Sequence, residues 1–363
     1  MPAFTTKGAK MPALIFDRRE LAGALGDIGV LLPLMAGLIL VCGISAFTVF
    51  LLTGVMYVVT GVYFRLPVPV QPLKAMAAIA IAGGAGAEEL AAGGIIMGAL
   101  LVFMSITGLA SRLSSLFAPW TVKGVQLAVG LMLIKSSLSF LNGSGSAVWK
   151  GAAALGPKGT DIFESLQVSG PGLPSLSIPG RESFVAALFL LVIPQVPVTF
   201  GNSVVATADV ARSYFGQRAA RVTPKALCAS LGIANTVIGF LGGMPVCHGS
   251  GGMTAHYRLG ARSGGAAVLM GMLLITLALL FGDSAVYLIL MLPLPVLGGF
   301  MVYVGVQHAR LVLGLREQKL ALTVAVAIGV VSLLWGNIAL GMAVGVGVSL
   351  LAGAARRAVA EAG

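Results

Sequence analysis

The chain has 363 residues, 58% of them hydrophobic and only 10% charged, and its mean hydropathy is +1.00. Soluble domains carry about 25% charged residues, so the composition excludes a soluble globular protein and defines an integral membrane protein. The net charge of +11 does not indicate nucleic-acid binding, because the basic residues sit in short segments between apolar runs, as in loops retained inside the cell.

The apolar runs far exceed the ~10 residues of a barrel strand and show no period-two alternation, so the spans are helical and the fold class is all-α and polytopic. Fifty glycines suit close helix packing and broken helices. Cys42, Cys228 and Cys247 lie in or beside apolar spans without metal-ligand spacing, so neither a disulfide, a metal site nor a cofactor is expected. No cleaved signal is expected either: Lys7, Lys10, Arg18 and Arg19 precede a hydrophobic run that is itself a long span.

In chain order, the first span covers about Glu20 to Val41 and contains Asp27 between glycines, and the second covers Ile44 to Phe64. The third element, about 69–84, is a proline-led half-helix in LPVPVQPLKAMAAIAIAGG, with Gln71 and Lys74 at its start. It has roughly half the ~20 residues needed to cross a bilayer. Proline fits a first helical turn, whose free N–H groups and dipole favour an anion. Glu88 and Glu89 mark a loop before a fourth element, Leu90 to Ala110, followed by Arg112 and a fifth, Pro119 to Phe140. Asn142 to Arg181 reads as the one long polar linker.

Beyond it, Ser183 to Asp209 is an apolar element expected to break at IPQVPVTFGNS, and Lys225 to Gly242 is a further span. A second short helix, about 245–259, follows in MPVCHGSGGM. Gly264–Phe281, Ala285–Val306, Leu320–Trp335 and Ile338–Ala354 complete twelve membrane elements, two of them half-length.

Internal matches relate the halves: PVPVQPLKAM to GGMPVCHGSGGM, and PWTVKGVQLAVG to LPVLGGFMVYVGVQ. Five elements precede the second half, and an odd offset makes the repeat inverted, as in many secondary transporters. The expected division is a first inverted repeat over 1–140, an extracytoplasmic linker over 141–181 and a second repeat over 182–363, with five and seven membrane elements. With the N-terminus inside, seventeen Lys and Arg fall inside and three, Lys150, Lys158 and Arg181, outside. Glu88, Glu89, Asp161, Glu164, Glu182 and Asp283 also fall outside, so both termini are expected in the cytoplasm.

Four stretches, LGDIGVLLP, PVPVQPLKAMAAIA, PQVPVTFGNSVVATADVARSYFG and GGMPVCHGSGGMTAHYRLGARSGGA, resemble the molybdate transporter family, a distant relative of SulP sulfate permeases and nucleobase–ascorbate transporters. The resemblance covers nearly the whole chain. It implies a core domain and a gate domain, with the anion between the facing N-termini of the third and tenth elements of the relatives' seven-per-half count, the tenth being the one led by MPVCHGSGGM, eighth in this chain. Relatives with that fold have seven elements per half, so five in this first half imply a reduced gate domain. A homodimer through the gate is one assembly the resemblance allows; the sequence leaves the oligomeric state open. A plasma membrane of bacterial inner-membrane type is the expected location.

The candidate substrate-binding residues are Gln71, Lys74, Ala75, Gln195, Thr199, Asn202, Ser203, His248, Ser250 and Gly251, and Asp27 is the candidate coupling group. Each has a second reading. Lys74 either faces an anion or snorkels or pairs with Asp27; an intramembrane charge costs roughly 2.5 kcal/mol or more unless paired or hydrated. Gln71 either binds the ligand or ties off carbonyls freed by the prolines. Gln195, Thr199, Asn202 and Ser203 either donate to an oxyanion or satisfy the helix break. His248 reads first as structural, Asp209 as a local partner of Arg212, and His256 and His308 as solvated at basic ends.

A tetrahedral dianion offers acceptors and no donors, so it suits a cage of N–H, hydroxyl and amide donors; a nucleobase needs acceptors too, and no carboxylate stands in either half-helix. Paired carboxylates and His/Cys clusters are absent, which argues against an enzyme. The reading is an importer of molybdate by alternating access, with proton coupling a hypothesis. Sulfate or another oxyanion is the alternative substrate, and an anion channel the alternative mode.

Overall fold

The structure, a computed structural model, describes residues 13–83, 85–109, 119–141, 146–154, 168, 172–345 and 347–348. The expected roles of Lys7, Lys10, Arg112, Lys158, Asp161, Glu164, Arg356 and Arg357 lie outside them, as does the end of the last span.

Helix α1 (Arg18–Leu25) starts at Asp17, whose carboxylate accepts from the amides of Arg19 and Glu20. It meets α2 (Ile28–Cys42) at a 43° bend over Gly26 and Asp27. Helix α3 (Ala46–Phe64) is capped by Ser45 and stopped by Arg65 in the left-handed region, φ 57°. The chain then extends through Pro67 and Pro69 into strand β1 (Gln71–Pro72) and turns into α4 (Lys74–Gly83). The prolines therefore precede the helix instead of occupying its first turn, because a residue before proline is driven into extended backbone.

Helix α5 (Ala87–Thr107) contains Glu88 and Glu89 in its first turn, not in a loop. Acidic residues favour that position, and the Glu89 carboxylate accepts from Gly86 N at 2.9 Å. After α6 (Pro119–Leu141), the expected linker contains a short helix, α7 (Ala147–Ala154). Helix α8 (Arg181–Ala219) runs 39 residues. The break expected at IPQVPVTFGNS is absent: wide π turns at Leu188–Val192 and Thr199–Ala206 flank Pro194 and Pro197. Widening the turn accommodates a residue that lacks an N–H and crowds the preceding carbonyl.

Helix α9 (Pro224–Phe240) starts at Thr223. Strand β2 (Val246–Cys247) and α10 (Ser250–Arg258) follow, then α11 (Gly265–Leu290), α12 (Leu294–Leu315) and α13 (Lys319–Trp335). The single element expected over Ala285–Val306 is split at Met291–Pro293, since Pro293 and Pro295 cannot continue the preceding helix. By length and apolar composition six described helices suffice to cross a membrane, or seven with α1 and α2 taken together.

Glycine sets the main contacts. Helix α3 lies on α11, α5 on α9, and α6 on α12 and α13. A Cβ on Gly271 would stand 2.5 Å from Gly54 O, one on Gly232 2.6 Å from Val102 N, and one on Gly305 2.7 Å from Gly130 O. Backbone approach this close is open only to glycine. The basic ends gather together: Arg218 donates to Arg262 O at 2.8 Å, Arg221 to Tyr63 O at 3.0 Å, and Gly260 packs on Arg19. At the other end Asp283 accepts from Ser45 Oγ at 2.7 Å, and Glu88 from Ser183 Oγ at 2.9 Å.

Candidate functional site

Strands β1 and β2 pair antiparallel, with Gln71 opposite Cys247 and Pro72 opposite Val246. This two-residue ladder is absent from the all-α expectation. It sets the starts of α4 and α10 on either side of one short backbone junction. Leu73 N donates to Pro245 O at 3.0 Å, and Cys247 Sγ contacts Pro72 O at 3.3 Å. Asn235, a lone amide in apolar α9, holds β2: it accepts from Val246 N at 2.7 Å and donates to Val246 O at 2.8 Å. The first amides of each short helix have no acceptor one turn back, as at any helix start.

Lys74 opens α4 and is only 5% exposed. Its Nζ donates to Gln71 Oε1 at 2.6 Å and lies 4.0 Å from Cys247 Sγ. Among the described residues no carboxylate lies within ion-pair distance of it, so the expected alternative of a direct Lys74–Asp27 pair does not hold. Gln71 stands between the two: its Nε2 donates to the Asp27 carboxylate, as does the hydroxyl of buried Tyr57. Asp27 is wholly buried at the α1–α2 bend.

The start of α10 closes on this group. A Cβ on Gly249 would lie 2.6 Å from Gln71 Oε1, 2.9 Å from Lys74 Nζ and 3.6 Å from Asn202 Nδ2. Ser250 Oγ donates to Asn202 Oδ1 at 2.6 Å, and Thr207 Oγ1 to His248 O at the same distance. Beside Gly251 there is open space within 4 Å, and this residue is exposed while Gln71 and Lys74 are buried. The hydroxyl of Ser203 is buried without a hydrogen-bond partner.

Thus Asp27, Gln71, Lys74, Asn202 and Ser250 converge around Gly249 and Gly252, while Gly251 is only their neighbour along α10. Gln195 and Thr199 lie behind α4 and are bonded to each other: Gln195 Oε1 accepts from Met76 N at 3.0 Å and its Nε2 donates to Thr199 Oγ1 at 3.0 Å, tying α8 to the first turn of α4 and leaving the Thr199 O–H outside that bond. Ala75 is buried in that turn. His248 has both ring nitrogens engaged, Nδ1 2.8 Å from Pro69 O and Nε2 3.0 Å from Ser230 Oγ. Asp209 and Arg212 form the expected exposed pair at 3.9 Å.

Two histidines overturn the expectation that they are solvated. His256 is fully buried 3.6 Å from Asp27, and His308 is buried within electrostatic reach of Lys74. Tyr57, Asn235, Thr207, Gly249, Gly252 and His256 belong to the site region without having been singled out for it. For Tyr57 and Asn235 the available signal was a polar side chain inside an apolar span.

Membrane-length helices and two short helices whose starts lie across a two-residue ladder, beside the buried Lys74, define the fold of a polytopic membrane domain. The solved structures agree on the fold: the transmembrane domain of a cyanobacterium bicarbonate transporter, BicA, superposes with TM-score 0.60 at 14% identity, covering 92% of this chain and 100% of that one. The murine Solute Carrier 26 family member A9 anion transporter in the inward-facing state gives TM-score 0.62 at 16% identity, covering 95% and 69%. The family model described as "Molybdate transporter of MFS superfamily" matches residues 19–133 and 187–307, and the chain belongs to that family. It is 27% identical to Molybdate transporter 1 of Chlamydomonas reinhardtii, over 85% of this chain and 87% of the relative. It is 26% identical to Molybdate transporter 2 of Arabidopsis thaliana, over 92% and 86%. The protein is therefore an integral membrane transporter, not an enzyme.

Proposed function

We propose that this chain imports molybdate by alternating access, holding the dianion between the N-termini of α4 and α10. The observation that carries the reading is Lys74: a buried ammonium with a single short hydrogen bond, set where two helix starts and the side chains of Gln71, Asn202 and Ser250 meet. Each helix start contributes about half a positive charge and Lys74 a whole one. The open space beside Gly251 is where an oxyanion would enter the donor set, with Ser203 as a further hydroxyl. The names of the relatives favour molybdate over sulfate, which has the same shape and charge.

An inverted repeat of residues 1–140 and 182–363 is supported by the pairing of helices. Numbered as membrane elements, α3 on α11 pairs the second with the ninth, and α5 on α9 the fourth with the seventh. Advancing each by five exchanges the two pairs, while β1 with β2 and α6 with α12 map onto themselves. Helices α6, α12, α13 and the helical residues after 338 would form the reduced gate, and the rest the core. The basic cluster around Arg218, Arg221 and Arg262 would face the cytoplasm of a bacterial inner membrane, with both termini on that side and the linker 141–181 outside.

The test is titration of the purified chain with molybdate, tungstate and sulfate by calorimetry, wild type beside Lys74→Ala and Gln71→Ala. Molybdate should bind at least about tenfold tighter than sulfate. Lys74→Ala should weaken it by more than about thirtyfold, the loss of a buried charged partner being worth about 2–5 kcal/mol. Binding untouched by either substitution would place the site elsewhere; equal affinities would leave a general oxyanion carrier. Saturable uptake into proteoliposomes separates a carrier from a channel.

A further inference from the structure

We propose that Asp27 and His256 together form the proton site coupled to the anion, with Gln71 transmitting the coupling to Lys74; this rests on the anion reading above. His256 is fully buried, its Nε2 is 3.6 Å from Asp27 Oδ2, and neither ring nitrogen has a hydrogen-bond partner. A buried imidazole with both nitrogens unpartnered forgoes the hydrogen bonding that buried polar groups ordinarily find. Protonated, the ring gains an ionic partner already 3.6 Å away, a few tenths of an ångström beyond hydrogen-bond distance, and Asp27 is already held as an acceptor by Tyr57 and Gln71.

The link to the anion is built into two elements. The Gln71 amide is two-ended, its Nε2 on Asp27 and its Oε1 on Lys74 Nζ. On α10, Gly252 and His256 are four residues apart and share a face. A Cβ on Gly252 would lie 2.5 Å from Gln71 Nε2 and 2.8 Å from Asp27 Oδ1. The helix whose first turn would meet the anion thus carries the imidazole one turn further on, against the same carboxylate.

The other charged or titratable groups around His256 are engaged elsewhere. Glu20 accepts from the amides of Arg262 at 2.8 Å and Ala266 at 3.1 Å. Tyr257 stacks on Tyr214 at 4.2 Å, under Arg262 at 3.8 Å. Arg258 is exposed, Asp209 pairs with Arg212, and His248 is bound at both nitrogens. That leaves Asp27, Tyr57 and Lys74, with buried His308 within electrostatic reach of Lys74, to set the charge of the cluster. With His256 neutral, Lys74 and Asp27 cancel and a dianion brings a net charge of minus two into a buried site. With His256 protonated the sum is minus one. Anion and proton therefore favour each other's binding, and the coupling is reciprocal.

The experiment is calorimetric titration of the full chain with molybdate in buffers of different ionisation enthalpy, from about pH 5.5 to 8, which counts protons taken up per anion. Wild type should take up close to one proton per anion in the pH window where its affinity falls, by up to about tenfold per unit, and none at the acidic end where the free protein is already protonated. His256→Gln should still bind, take up no proton and vary by less than about twofold per unit. Asp27→Asn should behave alike and serves as the second variant should the first not fold. Wild-type binding without proton uptake, or His256→Gln with the wild-type count and slope, overturns the inference while leaving the anion site standing. Failure of wild type to bind any of molybdate, tungstate and sulfate overturns instead the reading on which it rests.

Discussion

Asn235 binds both backbone groups of Val246, and Val246 pairs with Pro72 two residues before Lys74. Asn235→Leu keeps the γ-branched shape but leaves a buried N–H and C=O unpaired, at about 1–3 kcal/mol each. The expected outcome is a clear drop in thermal stability together with weaker molybdate binding, because the ladder that aligns the two helix starts loses its clamp. Unchanged melting in a thermal-shift assay would show that β2 is held without it. At this scale the sequence was readable where chemistry was out of place: Gln71 and Lys74 stood among prolines and small apolar residues. His256 was not, since HYRLGAR looks like a solvated basic end. Its burial depends on Asp27, which is more than two hundred residues away in sequence and brought close only by the packing of α1 on α10.

Among the elements, α12 gives a matched pair of glycines. A Cβ on Gly305 would press on Gly130 O at 2.7 Å and Ile134 Cγ1 at 2.7 Å, whereas one on Gly299 would meet nothing within 4 Å. Gly305→Val should therefore separate α12 from α6 and cost at least about 1–3 kcal/mol, as overpacking does. Gly299→Ala should leave the melting temperature and the elution profile as in wild type. Equal behaviour of the two variants would refute the close packing of these helices. Helix positions were legible from apolar runs, and the glycine count foretold close contacts. The continuity of α8 was not legible, because proline reads as a break and the π turns that absorb it leave no mark in composition. The split before Leu294 was missed for the opposite reason: prolines taken as part of a span end one there.

For the whole molecule, the proposed repeat draws on short motif matches in the sequence and on a symmetric exchange of helix pairs that only the packing displays. The proposed carrier must work against the membrane potential. Moving a dianion into a cell at 100 mV inside-negative costs roughly 4.6 kcal/mol, twice ~2.3 per charge. One accompanying proton lowers this to about 2.3 kcal/mol, while a gradient of one pH unit supplies only about 1.4 kcal/mol. A single proton at the Asp27–His256 pair thus leaves import at that potential uphill, whereas two protons make it electroneutral and leave about 2.8 kcal/mol to drive accumulation. Proteoliposomes distinguish these cases. With the potential clamped at zero and the outside one pH unit more acidic than the lumen, one proton per anion gives about tenfold accumulation of molybdate and two give about a hundredfold. Imposing 100 mV inside-negative then cuts the first by roughly fiftyfold and leaves the second unchanged. Tenfold accumulation that collapses under the potential, and is lost in His256→Gln, is the outcome the single buried pair requires. Accumulation indifferent to the pH gradient would mean that the anion moves without the proton.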